Sequence, residues 1–255
     1  MVQRHTLGDG NTVGYEDFGP PRGFPILVQH GLIASIGNTA LFYPLVEAGR
    51  RVIAVARPGY GVSSPFFLAE VGAWGAVVES LADALELSRF DVVASSSGAP
   101  YAYSIARRMP GRVGAVSVFS GTPALYHPAV RALWPYPLED LGGIEAWKTL
   151  ARHLFSPSAG EEPLPDLHDS LAHDGFGIAL DLMIRGRPWG FVLDEVPVPV
   201  VLEHALDDDQ VPFATAQVTA GLLPQALLTT RASGGHFSPE LFQAFLKNTV
   251  LKVSH

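Results

Sequence analysis

The chain contains no cysteine. Disulfide bonds, thiolate metal ligands and thiolate nucleophiles are all excluded, so any covalent catalysis must use another side chain. There is no basic run either. Seventeen Lys and Arg stand against 25 Asp and Glu, a formal charge of −8, which argues against nucleic acid as a partner. No apolar run approaches the ~18 residues that a membrane helix needs, and Met1-Val2-Gln3-Arg4-His5 opens on no apolar signal region. The expectation is a cytoplasmic protein with no membrane partner. His153, His168 and His173 fall in no helical His-Glu-x-x-His pattern, so neither metal nor cofactor is expected. What the chain does have is apolar bulk: 47% of 255 residues, enough for one large domain with an insertion.

Short β-branched runs alternate with helical periodicity through most of the chain. Arg4–Leu7 and Asn11–Asp17, joined by Gly8-Asp9-Gly10, read as a hairpin. Pro25–Gln29, Val52–Ala56, the apolar run that starts at Phe90 and holds Val92 and Val93, Val113–Phe119, Val198–Glu203 and Ala226–Thr230 read as further strands. Between them, Leu41/Leu45/Val46, Leu68 through Leu85, Tyr101/Ile105/Met109 and Pro212–Ala220 carry helical spacing, and Ser238-Pro239 caps a last helix. That rhythm predicts a mostly parallel sheet with helices on both faces. It is lost over residues 122–190, which hold Trp134, Tyr136, Trp147, Phe155, Phe176, Met183 and Trp189 and a Pro/Gly/Ser/Glu-rich patch at Ser156–Pro165. The expectation is a mostly helical cap at 122–190, with 1–121 and 191–255 forming the core.

Chemistry concentrates where Phe90-Asp91-Val92-Val93-Ala94 turns into Pro100-Tyr101-Ala102 through Ser95-Ser96-Ser97-Gly98-Ala99. A strand reversing sharply into a helix forces one residue into a strained conformation and leaves no room for bulk two positions either side, the small-x-Ser-x-small logic of a nucleophile elbow. Centring on Ser95 would put Val93 where no bulk fits. Centring on Ser97 is possible but lacks the glycine. Ser96, flanked by Ala94 and Gly98, fits best. A serine hydroxyl needs a base and an orienting carboxylate. His204-Ala205-Leu206-Asp207-Asp208-Asp209 and Ser233-Gly234-Gly235-His236-Phe237 each follow a strand, at the edge where open α/β sheets build their sites. Spacing alone leaves the three aspartates open.

These segments together resemble the α/β-hydrolase superfamily, over most of the chain. His30-Gly31-Leu32 is similar to its oxyanion loop, Arg57-Pro58-Gly59-Tyr60-Gly61-Val62-Ser63 to its Asp-Arg-Pro-Gly-Tyr-Gly-x-Ser segment, and Ser96-Ser97-Gly98-Ala99 to its elbow. Trp189-Gly190-Phe191 resembles the cap's return to the sheet, and Gly235-His236-Phe237 the histidine loop. The family pattern His-Gly-x-x-Asp-x-x-Val-Pro falls on His204–Pro212 and picks out Asp208, so substitution at Asp207 or Asp209 should matter little. Ala56, Ala94, Ala99 and Ala205 depart from the pattern, replacing an aspartate and three glycines.

The resemblance implies an α/β-hydrolase fold with an eight-stranded, mostly parallel sheet and a helical cap. It implies a Ser96–His236–Asp208 triad, with the backbone N–H groups of Leu32 and Ser97 as oxyanion donors; His30 and His204 are then structural. Ile33, Trp134, Trp147, Met183 and Phe237 are expected to line the pocket. The serine excludes relatives with an aspartate nucleophile, and His30-Gly31-Leu32-Ile33 is not the His-Gly-Gly-Pro-Gly loop of proline iminopeptidases. The expected activity is hydrolysis of a small or medium apolar carboxylic ester. Lactonase, C–C bond hydrolase and cofactor-free perhydrolase are the alternatives, and a small-molecule receptor is the alternative of another class.

Overall fold

The computed structural model describes residues 1–138, 140–156 and 164–251. Eight strands form one sheet: β1 (Gln3–Thr6), β2 (Thr12–Phe18), β3 (Pro25–Gln29), β4 (Arg51–Val55), β5 (Phe90–Ser95), β6 (Val113–Phe119), β7 (Val200–Ala205) and β8 (Ala226–Arg231). Their order is β1-β2-β4-β3-β5-β6-β7-β8. β1 and β2 form the antiparallel hairpin, β2 also runs antiparallel to β4, and every later pair is parallel. The central strands are buried on both faces, which is why they read as unbroken runs of Val, Ile and Leu.

The helices are α1 (Tyr43–Glu47), α2 (Trp74–Ala84), α3 (Ala99–Arg108), α4 (Pro128–Arg131), α5 (Ile144–Phe155), α6 (Pro165–Ser170), α7 (Ala172–Ile184), α8 (Phe213–Gly221) and α9 (Pro239–Phe245). Ser238 caps α9 as its spacing predicts, its hydroxyl accepting from the Leu241 N–H at 3.2 Å. Two boundaries shift for backbone reasons. Leu68 and Val71 pack into the core but precede α2, because the Gly72 N–H is committed to the Trp189 carbonyl at 2.7 Å. β7 begins at Val200 rather than Val198, since Pro197 and Pro199 have no N–H for a ladder.

Helices α4–α7 are inserted between β6 and β7. The Ser156–Pro165 patch lies almost wholly outside the described residues; Pro165 itself opens α6. The insertion is welded to the core rather than perched on it. Trp147, Ala151, Ile178, Ala179 and Leu182 belong to the same apolar cluster as Ile26, Val28, Val52 and Phe119. At Gly59 the chain has φ +78°, and an added Cβ would lie 2.6 Å from the Phe176 ring and 2.8 Å from the Gly177 nitrogen. Gly59 therefore lets α7 rest directly on core backbone.

The other indispensable glycine is Gly98, between β5 and α3. A Cβ there would fall 2.3 Å from the Gln29 carbonyl oxygen and 2.8 Å from that of His30. Gly98→Ala should therefore cost more than about 1 kcal/mol, as overpacking against backbone does. Gly111→Ala, with nothing within 4 Å, is the control. Denaturant unfolding of both variants checks this; equal stabilities would show that β3 yields freely at the elbow.

Candidate active site

β5 delivers Ser95 in extended conformation (φ −122°), and the next residue, Ser96, is left-handed at φ +47°. A non-glycine residue in that region costs roughly 1–2 kcal/mol. The turn is held by its surroundings: the Thr122 N–H donates to the Ser96 carbonyl at 2.9 Å, and Gly98 sits against the end of β3. Two alanines that depart from the family's glycines are accommodated. Ala94 lies buried in β5, and Ala99 faces Gly121, where an added Cβ would approach the Ala99 Cβ to 2.8 Å. The missing glycine has in effect moved across the contact.

The left-handed turn raises the Ser96 hydroxyl to His236, whose Nε2 lies 2.8 Å from Oγ. On the other side of the ring, Nδ1 lies 2.8 Å from Asp208 Oδ2. A carboxylate accepts only, so Nδ1–H donates to Asp208 and Nε2 is free to accept from the serine. Asp208 is buried and heavily satisfied: Oδ1 accepts from the N–H groups of Gln210 at 3.0 Å and Val211 at 2.8 Å. Burial pushes its carboxyl up, but hydrogen bonds from His204, His236 and Val211 outweigh that and hold it well below the usual carboxylate range. His204 Nε2 lies 2.7 Å from the Val211 carbonyl and 3.1 Å from Asp208 Oδ2, so its N–H is shared between them. His204 is a brace behind the carboxylate.

Of the three aspartates, only Asp208 touches the histidine side chains. Asp207 has a different task, which revises the expectation that it matters little. Its carboxylate accepts the N–H groups of Gly234 at 3.1 Å and Gly235 at 3.0 Å, clamping the glycine turn that carries His236. Those two bonds hold its carboxyl low. Asp209 offers its carbonyl to the Tyr136 hydroxyl at 2.5 Å, tying this loop to the insertion.

Leu32 and Ser97 come from two chain segments and face the same cavity as Ser96. Ser97 is in the first turn of its helical segment, where an N–H has no intrahelical acceptor. The Leu32 N–H donates to no loop or turn acceptor among the described residues. The His30–Leu32 loop is positioned from below by a buried cluster. Arg57 donates to the carbonyls of His30 at 2.5 Å and Gly31 at 2.9 Å, and pairs with Asp181 of α7 at 2.6 Å. Tyr60 and Tyr101 donate to the same carboxylate at 2.9 and 2.5 Å, and the Tyr60 hydroxyl also lies 3.1 Å from the Leu32 carbonyl. Burial opposes the Arg57 charge, but Asp181 more than compensates and its pKa rises. His30 donates from Nδ1 to the Gly31 carbonyl and accepts the Arg57 N–H, while burial and the Arg57 charge push its pKa well below the ordinary value. It is neutral and structural. On the outer side, α6 staples the loop, with Ala34 N–H on Ser170 Oγ at 2.9 Å and Ser35 N–H on Asp166 at 3.1 Å.

The cavity above Ser96 holds about 730 Å³. Of the residues expected to form a pocket, Ile33, Trp134, Trp147 and Phe237 line it. Met183 does not. It is half-buried between the two apolar clusters, while its neighbour Leu182 faces the cavity, about 100° away around the helix. Sequence reading also misses Asp166, Arg185 and Gln210, which line the wall. Asp181 is missed too, although one acid in the otherwise apolar run Phe176–Ile184 is a signal for a buried partner.

The model of the alpha/beta hydrolase family matches residues 26–244. The chain is 28% identical to a non-heme chloroperoxidase of Streptomyces lividans over 88% of both chains. It is 24% identical to a 2-hydroxymuconate semialdehyde hydrolase of Pseudomonas sp. strain CF600, over 93% of this chain and 88% of that one. In structure it is similar to an esterase from Exiguobacterium antarcticum, with a TM-score of 0.71, 21% identity and complete coverage of both chains.

Two outcomes follow from the geometry. His30 is neutral in the fold but takes up a proton in the unfolded chain below about pH 6.5, so stability must fall as the pH drops through that value. Between pH 7 and 5 wild type should lose more stability than His30→Asn, with a slope difference of up to ~1.4 kcal/mol per pH unit; parallel curves in denaturant titrations would contradict it. Asp207→Ala should loosen the His236 turn and lower kcat roughly tenfold to a hundredfold, against about 10⁴-fold for Asp208→Asn. Steady-state kinetics separate the two.

Proposed function

The chain belongs to the α/β hydrolase family, and we propose that it is a serine hydrolase that cleaves a small or medium apolar carboxylic ester through an acyl-enzyme. One observation carries this reading: the unbroken line Ser96–His236–Asp208, with both links at 2.8 Å, opening into a mostly apolar cavity. His236 takes the proton from Ser96 Oγ as it attacks the ester carbonyl carbon. Asp208 holds the ring in the tautomer with Nδ1 protonated and stabilises the imidazolium that forms. The carbonyl oxygen becomes an oxyanion between the N–H groups of Leu32 and Ser97, donors that cost no reorganisation because main chain supplies them. His236 then returns its proton to the departing alcohol. Water, deprotonated by the same ring, hydrolyses the acyl-serine.

Two features of the surroundings support an apolar acyl or alcohol group. The cavity walls are Leu32, Leu41, Trp147, Leu150 and Leu182, with the more exposed Ile33 and Phe237 also lining it. Their supports come from both the core and the insertion, so the insertion sets specificity while the sheet edge holds the reacting groups.

Hydrolysis of 4-nitrophenyl acetate, butyrate and octanoate tests the activity. Wild type should release nitrophenolate from at least one, and Ser96→Ala should reduce kcat by several orders of magnitude. Activity that survives Ser96→Ala would overturn the assignment, and no turnover of any ester would favour a receptor on this fold. In the same assay, Trp147→Ala or Leu182→Ala should move the optimum toward longer acyl chains. Met183→Ala should leave the optimum in place and lower only the thermal midpoint.

A further inference from the structure

Arg185 is the anomaly of the cavity. It stands immediately after α7, one turn beyond Asp181, and contributes to the wall of the space that Ser96 opens into. The side chain is partly buried, and its Nε is cut off from solvent without a hydrogen-bond partner. Its guanidinium lies over the Trp134 ring at 5.8 Å, a contact that orients it but supplies no acceptor for its N–H groups. No carboxylate among the described residues forms an ion pair with it. The nearest acid along the chain, Asp181, is already saturated by Arg57, Tyr60 and Tyr101. Asp166, the other charged residue on the wall, accepts from Ser35 and Asn38 across the cavity-forming loop. A cation in an apolar wall with a buried N–H unpartnered is costly unless something else supplies the acceptor. Burial pulls its pKa down, and the Asp181 charge offsets that only in part.

We propose that Arg185 is a carboxylate subsite, so that the substrate is an ester whose apolar body carries a negatively charged carboxylate away from the scissile bond. This rests on the ester-hydrolase reading and narrows it. A guanidinium presents paired N–H donors that match a carboxylate, and no other Lys or Arg among the described residues lines the cavity. One fixed positive charge matches one negative charge. A phosphate dianion would bring an uncompensated charge into an apolar cavity of a chain whose net charge is already −8. The carboxylate thus anchors one end of the substrate at Arg185 while Ser96 meets the ester carbonyl. The apolar chain between them lies along the insertion's aliphatic and aromatic side chains.

The mono-4-nitrophenyl esters of glutaric, adipic, pimelic and suberic acid, each paired with the neutral nitrophenyl alkanoate of equal chain length, test this directly. In wild type at least one half-ester should exceed its neutral counterpart in kcat/KM by about tenfold or more. Arg185→Gln should collapse that ratio by at least tenfold, mainly through KM, and Arg185→Lys should restore part of it. A ratio that Arg185→Gln leaves unchanged for every chain length overturns the subsite. A binding measurement separates this failure from failure of the ester reading. Ser96→Ala titrated calorimetrically with the same dicarboxylic acids should bind one of them, and the Ser96→Ala/Arg185→Gln double variant should bind it at least tenfold more weakly. Binding lost without any ester turnover keeps the subsite and discards the hydrolase. Ester turnover without a carboxylate preference in either assay does the reverse.

Discussion

The molecule is arranged around one backbone constraint, the left-handed conformation of Ser96. A serine at φ +47° is unfavourable in isolation, so the contacts around it must make any other path worse. β5 drives straight into the turn, Gly98 lets α3 start hard against the ends of β3, and the Thr122 N–H holds the Ser96 carbonyl after β6. Because the hydroxyl is then presented above the sheet, the loops after β7 and β8 need only reach the same edge to complete the line to His236 and Asp208. The Ala99–Gly121 contact shows how tightly this corner is filled: one methyl group is allowed, but only on one of the two strands of chain.

A second constraint lies directly below. Arg57 and Asp181 form an ion pair removed from water, and such a pair is worth keeping only when every remaining donor and acceptor is satisfied. Here the guanidinium spends its other donors on the carbonyls of His30 and Gly31, and the carboxylate collects two tyrosine hydroxyls. The same cluster therefore links the His30–Leu32 loop, the helix after the elbow and α7 of the insertion. The insertion and the reacting edge are thus not independent bodies. A change in α7 reaches the His30–Leu32 loop through two hydrogen bonds, and Arg185, one turn beyond Asp181 at the end of α7, places the cavity wall on that same support.

Most of the fold was legible because burial on both faces leaves a plain mark. Runs such as Ile26-Leu27-Val28 and Val52-Ile53-Ala54-Val55 have no alternation and little length, which suits central parallel strands. The elbow was legible because steric crowding permits only small residues at Ala94, Gly98 and Ala99. Asp208 was not legible from local chemistry, since three consecutive aspartates look alike; the register to Val211-Pro212 in a family pattern was needed. Asp207 escaped notice because its partners, the Gly234 and Gly235 N–H groups, are far away in sequence and carry no side-chain signal. Met183 against Leu182 was a question of helix rotation. The left-handed run His173-Asp174-Gly175 sets the phase of the helical turns that follow it in α7, and periodicity does not foresee such a break.

The central claim is that Ser96, and neither of its two neighbours, is activated by His236. Labelling with a fluorophosphonate, followed by peptide mapping, asks this most directly, because only a serine with an adjacent base and oxyanion donors reacts readily with that reagent. The account predicts a single adduct on Ser96, absent in Ser96→Ala and nearly absent in His236→Ala. An adduct on Ser95 or Ser97, or none on the folded protein, would contradict it.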